Sequence, residues 1–169
     1  SKRLRELAYL NGGVTFTLED NRSKGENRSR EFHYKGGIRD FVKELNLDKT
    51  RIYDDPIYVR GSKDGIIVEM AMQHNDGYAE NLFSYVNNIP TTEGGTHESG
   101  FKSALTKSMN DYCRRINLIK EKDQQLSGDD FREGMVAVLS IKMQNIQFEG
   151  QTKTRLGNTE ARSAVDSII

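Results

Sequence analysis

Leu4, Leu7 and Ala8 in "KRLRELAYLNGG" recur at helical spacing, and Asn11-Gly12-Gly13 ends that helix. "VTFTLED", Val14 to Asp20, alternates apolar and polar residues with the period of a half-buried strand. "NRSKGENRS" reads as a polar hairpin loop, and "REFHY" returns as a second strand. Gly36-Gly37 opens a short helix, "IRDFVKELN", with Ile38, Phe41, Val42 and Leu45 on one face. "IYVRGSKDGIIVEMAMQHN" predicts two strands around a turn at Lys63-Asp64-Gly65, and "AENLFSYVNNI" one more strand. The period then changes to 3.6 from about Thr96 to Asn117. Phe101, Leu105, Met109, Tyr112 and Ile116 share one face of that long helix, and Lys102, Thr106, Lys107, Asn110 and Arg114 the other. "KEKDQQLSGDDFREG" is a charged connector with a short helical turn, and "MVAVLSIKM" a strand apolar enough to be central. "FEGQTKTRLGN" is a polar loop, and a last helix starts at an N-cap, Asn158 or Thr159.

Strand, strand, helix, three strands, long helix, strand, helix predicts an α+β fold. The expected architecture is a two-layer sandwich, a mixed sheet backed by helices. The first helix has no N-cap and the last stops on two isoleucines, so both ends read as cut from a longer chain.

Composition narrows the function classes. The 169 residues are 35% hydrophobic and 30% charged, enough for one globular domain. Formal net charge is zero, so any nucleic-acid contact must come from clustered charge. The single cysteine, Cys113, excludes an internal disulfide, suits a reducing compartment and falls on or near the apolar face of the long helix as core filler. No apolar run is long enough to span a membrane, and the first residues given do not read as a signal peptide. His33, His74 and His97 lack metal-ligand spacing, and each reads singly as a surface or satisfied histidine.

"GGTHESGFKS", Gly94 to Ser103, is one residue away from a phosphate-binding P-loop. A P-loop needs Lys directly after its second Gly, so that backbone amides and ammonium converge. Phe101 takes that place and turns Lys102 about 100° round the helix. These glycines therefore shape a loop entering the helix. Two stretches are rich in cations. One carries Arg22, Lys24, Arg28, Arg30, Lys35, Arg39 and Lys43; the other Lys102, Lys107, Arg114, Arg115, Lys120 and Lys122. Each is either a solvated face or a surface that tracks phosphate. Finally, "GQTKTR" is a Gly-flanked polar loop between a central strand and a helix. There Lys153 can meet a phosphate as a point charge, with Gln151 donating beside it.

"KDGIIVEMAMQHNDGY", "NNIPTTEGGTHESGF", "SGDDFREGMVAVLSIK", "FEGQTKTRLGN" and "EARSAVD" together resemble the transducer domain of the bacterial gyrase B family. That is the second domain of the ATPase region of a type IIA topoisomerase, and the likeness covers nearly the whole chain. The ATPase subunit of topoisomerase IV shares most of these stretches. The resemblance implies a fold like domain 2 of small-subunit ribosomal protein five and the GHMP kinases, with a left-handed βαβ crossover. It implies that residues 1–12 end a linking helix from a missing N-terminal ATP-binding domain and that 13–169 form the transducer. Lys153, assisted by Gln151, is then expected to contact the γ-phosphate of ATP housed in that preceding domain. Lys102, with Lys107 and Arg114, is expected to face the cavity that holds transported duplex DNA. The Mg²⁺-binding Asn and the general-base Glu of the family belong to the preceding domain, and the cleavage tyrosine to the gyrase A protein. The fragment alone is therefore expected to be inactive. Expected partners of the intact protein are duplex DNA, gyrase A and a second gyrase B copy, in the bacterial cytoplasm. Without the dimerising N-terminal arm, the fragment is expected to be a monomer. A stand-alone nucleic-acid-binding module of the same fold is the competing class. A GHMP-type kinase lacks its Gly/Ser-rich phosphate loop here.

Overall fold

The computed structural model describes residues 2–21, 28–120 and 123–169, with Arg28 in its backbone only. Most of the expected polar hairpin loop lies outside the described residues, as do Arg22, Lys24 and Lys122 of the basic stretches. Helix α1 (Lys2–Leu10), the antiparallel hairpin β1 (Thr15–Asp20) and β2 (Arg28–His33), and helix α2 (Ile38–Leu45) come first. Strands β3 (Ile57–Lys63), β4 (Ile66–His74), β5 (Asn81–Val86) and β6 (Ile89–Pro90) follow. The long helix α3 (Thr96–Arg115), the short α4 (Gly128–Arg132), strand β7 (Met135–Lys142) and helix α5 (Thr159–Ile168) complete the chain.

The main sheet runs β3-β4-β7-β5-β6. It is mixed, as expected: β5 and β7 are parallel neighbours joined across α3, and the other pairs are antiparallel. The single strand expected over "AENLFSYVNNI" is broken. Asn87 and Asn88 take φ of 46° and 66° and turn the chain back as β6. Asparagine tolerates that left-handed backbone, so the Asn pair is the turn signal.

Strand β7 is central and buried up to its last residue. Met135, Ala137, Leu139 and Ile141 point to one face and join Val68 and Met70 beneath α3 and α5. Phe101 of α3 sits fully buried there, worth about 1.5–3 kcal/mol by its transfer from water alone. Val138 points the other way, with Ala71 and Tyr85, against Ile38, Phe41 and Val42 of α2 and Tyr9 and Leu10 of α1. The two expected layers are thus the sheet and α3/α5, and α1 with α2 adds cover on the second face. The near-continuous apolar run of β7 demands it, because a half-exposed strand would alternate.

Helices α3 and α5 approach closely at Gly100. A Cβ there would stand 2.6 Å from the Arg162 carbonyl oxygen. Asn158 holds the N-cap position of α5 without capping it. Its Oδ1 instead accepts from the Gln147 amide at 2.7 Å, and its Nδ2 donates to the Asn145 carbonyl at 3.2 Å, tying down the approach to the loop.

Candidate functional site

The polar loop after β7 is anchored at its base and free at its tip. Leu156 bridges both Phe148 and Gly95. Its N–H donates to the Gly94 carbonyl at 3.1 Å, and its carbonyl accepts from the Thr96 N–H at 3.1 Å. The Glu93 N–H donates to the Thr154 carbonyl at 3.0 Å, and Thr154 Oγ1 donates to the Glu93 carboxylate at 2.7 Å. Arg155 reaches the Glu93 carbonyl at 3.2 Å and pairs with Glu149 at 2.9 Å. The loop base and the first turn of α3 therefore form one hydrogen-bonded unit. Gly95 makes it possible: at φ 143°, a Cβ would lie 2.5 Å from the Leu156 oxygen.

At the tip, Gln151, Thr152 and Lys153 are exposed. Thr152 and Thr154 share a hydroxyl contact of 2.9 Å. Lys153 takes a left-handed φ of 56°. Among the described residues, neither its ammonium nor the Gln151 amide has a hydrogen-bond or ion-pair partner. A cation held so is open to an external anion.

Beneath this joint lies His97, fully buried at the start of α3. Its Nε2 contacts Thr91 Oγ1 at 3.0 Å, Thr91 Oγ1 contacts Ser84 Oγ, and Ser84 donates to the Glu98 carboxylate. His97 Nδ1 is buried without a partner. Burial pushes its pKa down to about 4, so the ring is neutral at pH 7. Neither bland reading of His97 holds: it is neither on the surface nor fully satisfied. His74, by contrast, is satisfied, its ring meeting the Tyr53 hydroxyl at 2.8 Å and the Phe131 carbonyl at 2.9 Å.

The cations of α3 are arranged differently. Lys102 pairs with Glu80 at 2.7 Å, and Glu80 also binds Arg132 at 3.0 Å. Burial alone would raise the Glu80 carboxyl, but hydrogen bonds from Lys102 and Arg132 outweigh it and hold the pKa below its ordinary value. Lys107 is exposed, whereas Arg114 is half-buried, its Nε without a partner. At 100° per residue, Lys107 and Arg114 project within about 20° of each other, and Lys102 stands about 120–140° away. The three do not form one stripe. Nor is the polar side of α3 wholly solvated: Asn110 is buried and holds Leu126 by two hydrogen bonds of 3.0 Å. Tyr112 and Ile116, expected on the apolar face, are 48% and 49% exposed. The connector before α4 covers one flank of α3 and α5 another, which shifts the buried side. Neither Glu80–Arg132 nor Glu93–Thr154 carries a sequence signal, since both join segments far apart in the chain. Among the described residues, no group of three or more His, Cys, Asp or Glu is placed to hold a metal ion.

The DNA gyrase B family model matches residues 37–169. This chain belongs to the DNA gyrase B family. The DNA gyrase B subunit of Bacillus mycoides is 54% identical over 167 residues, 99% of this chain and 41% of that protein. Its counterpart in Halalkalibacterium halodurans is 52% identical over 169 residues, 100% of this chain but 26% of that protein. The chain therefore spans well under half of these relatives. The 43K ATPase domain of Thermus thermophilus gyrase B, solved with an aminocoumarin, superposes with a TM-score of 0.89 at 39% identity. That match covers 99% of this chain and 44% of the other. The topoisomerase IV ATP-binding domain of Francisella tularensis shares the fold, with a TM-score of 0.75 at 23% identity; 98% of this chain and 44% of that one are covered. Among the described residues, no helix is long and apolar enough to cross a membrane.

Proposed function

We propose that residues 13–169 are the transducer of a gyrase B ATPase region, with residues 1–12 ending the helix that links it to an ATP-binding domain. Lys153 and Gln151 reach across to the γ-phosphate of ATP in that domain. Lys153 supplies a positive point charge and Gln151 an amide donor, and together they report whether the outermost phosphate is present. Their contact differs between the nucleotide states, and that difference is what allows coupling. Movement of the tip is passed through Leu156, Gly95 and Glu93 to α3, and so to the gate between protomers. Lys102, Lys107 and Arg114 face backbone phosphates of the transported duplex, contacts that read no sequence. Gyrase A, a second gyrase B copy and duplex DNA are the partners, in the bacterial cytoplasm. Mg²⁺ is held by the preceding domain. Alone, the chain neither hydrolyses ATP nor cuts DNA. The gyrase relatives favour gyrase over topoisomerase IV.

One observation carries this reading: an unpartnered ammonium at the tip of a loop whose base is bonded to the start of the long helix. Lys153→Ala in the full-length protein tests it. ATP turnover and supercoiling are expected to fall about a hundredfold, the usual scale for losing one charge-stabilising donor. Folding is expected to be unchanged, because the ammonium has no partner among the described residues. Wild-type turnover in that variant would remove the role.

A further inference from the structure

The first basic stretch takes no part in that reading, and the fold gives part of it a place. Lys35, in the turn before α2, and Arg39, in its first turn, converge with Arg60 of β3 and Lys142 of β7 around a cleft of about 360 Å³. Arg60 faces the α1/α2 side of the sheet, as its register partner Glu69 does. Lys142 shares that side with Val138. The wall is completed by the Asn11-Gly12 turn after α1. The cleft therefore lies across the sheet from α3, and the four cations come from three elements distant in sequence.

Their charge is poorly answered from within. Among the described residues, the only carboxylate lining the cleft is Glu69, which accepts from the Tyr58 hydroxyl at 2.8 Å. Asp40, close by, accepts from the Gly36 N–H at 2.8 Å. Even with Asp40 counted, the cations outnumber the carboxylates by two. Lys142 reaches the Asn11 side chain, at 3.5 Å. Arg39 lies over the Tyr58 ring, 4.5 Å from its centroid, which leaves that ring face closed to a stacking base. Like charges gathered in a concave site repel each other and raise the local concentration of anions. Two guanidiniums and two ammoniums supply both forked and point-charge donors, the set that suits phosphate oxygens. The geometry points to a second anion site on this domain, a cleft that takes a phosphate-bearing anion through Lys35, Arg39, Arg60 and Lys142. Blocking of the ring favours recognition of phosphate over base. The anion comes either from a free polyphosphate or from a nucleic-acid backbone.

Titrating the chain separately with inorganic tripolyphosphate and with a short duplex DNA tests this, read by melting temperature and amide chemical shifts. The 169-residue chain is the right sample, since it holds no nucleotide pocket assigned to the preceding domain. Tripolyphosphate is expected to raise the melting temperature and to shift amides of residues 35–39, 60 and 142. Arg39→Ala/Arg60→Ala is expected to weaken it at least about tenfold. That pair is exposed, so the melting temperature without ligand should fall only by the small amount that the Arg39–Tyr58 contact contributes. Lys49→Ala, outside the cleft, should bind as wild type. A tripolyphosphate effect lost in the double variant supports the site with a free phosphate as source. A duplex affinity whose salt slope falls by about 2 in the double variant supports it with backbone phosphate as source. Binding of neither anion, or equal binding of both by wild type and double variant, overturns the site. So does binding of polyglutamate where both phosphates fail. Amide shifts at residues 35–39, 60 and 142, lost in the double variant, keep the outcome apart from any binding at Lys153, which is absent from the cleft.

Discussion

The loop tip at Gln151–Lys153 and the polar flank of α3 both display lysine, and they hold the charge in opposite ways. Among the described residues Lys153 has no partner, on left-handed backbone, above a base of several hydrogen bonds. Lys102 has its counter-ion built in, Glu80, shared with Arg132. An anion meeting Lys153 displaces only water. An anion meeting Lys102 must compete with a carboxylate. Exposed ion pairs are worth at most about 1 kcal/mol, so that competition is weak but measurable. The first arrangement suits an on/off sensor of one phosphate, and the second an adjustable contact to many. The largest expected effect is the hundredfold loss in Lys153→Ala; wild-type turnover there would leave the two lysines without a functional difference.

Next in size is the joint between the two regions. Gly95→Ala places a methyl against the Leu156 backbone at a φ that L-residues avoid. It is expected to cost about 3–4 kcal/mol and to free the loop base from α3. Chemical denaturation would measure the cost. Hydrogen exchange at Leu156 and Thr96 would show the amides losing protection together. Unchanged protection would mean that the tip and α3 are not one mechanical unit.

His97 lies inside the same joint and gives it a pH dependence. Its folded pKa of about 4 lies below the ordinary 6.5, so the unfolded chain binds a proton that the folded chain does not. This contribution is intact above pH 6.5 and is lost as pH falls toward 4. The loss is roughly 3 kcal/mol at most. Ring resonances followed by NMR should stay those of neutral imidazole down to about pH 5. A ring titrating near 6.5 would show that water reaches the joint.

How far these regions are legible depends on the range of the contacts. Strand β7 can be read, because an unbroken apolar run is a local signal, and the same run implies cover on both faces. Lys153 can be placed on a polar loop because Gly150 and the flanking polar residues are neighbours in sequence. The Asn87-Asn88 turn is also local, but the apolar pattern on either side masks it by inviting one strand. The Glu93–Thr154, Glu80–Arg132 and Asn110–Leu126 contacts cannot be read, since each depends on how α3 is laid against distant segments. A helical wheel treats α3 as having one wet side, whereas α5 and the connector to α4 cover it from two directions. That is why Asn110 is buried and Tyr112 half-exposed.

The smallest expected effect separates a structural Lys102 from a DNA-facing one. Glu80→Gln removes the carboxylate charge and keeps the shape. The depressed pKa of Glu80 means that the charged form stabilises the fold above the ordinary carboxylate range, and that this stability is lost as pH falls through the folded value. Neutralising it at pH 7 is therefore expected to cost about 1 kcal/mol, discounted for partial exposure. The same change leaves Lys102 without its counter-charge. If Lys102 meets backbone phosphate, the full-length Glu80→Gln protein should bind duplex more tightly at low salt, with a salt slope steeper by about 1. If Lys102 serves only to brace α3 against the loop before β5, stability falls by the same amount and the slope does not move. The two readings share a stability cost and differ only in the salt dependence. A slope equal to wild type, together with the predicted destabilisation, would assign Lys102 to the fold and leave Lys107 and Arg114 as the DNA-facing candidates.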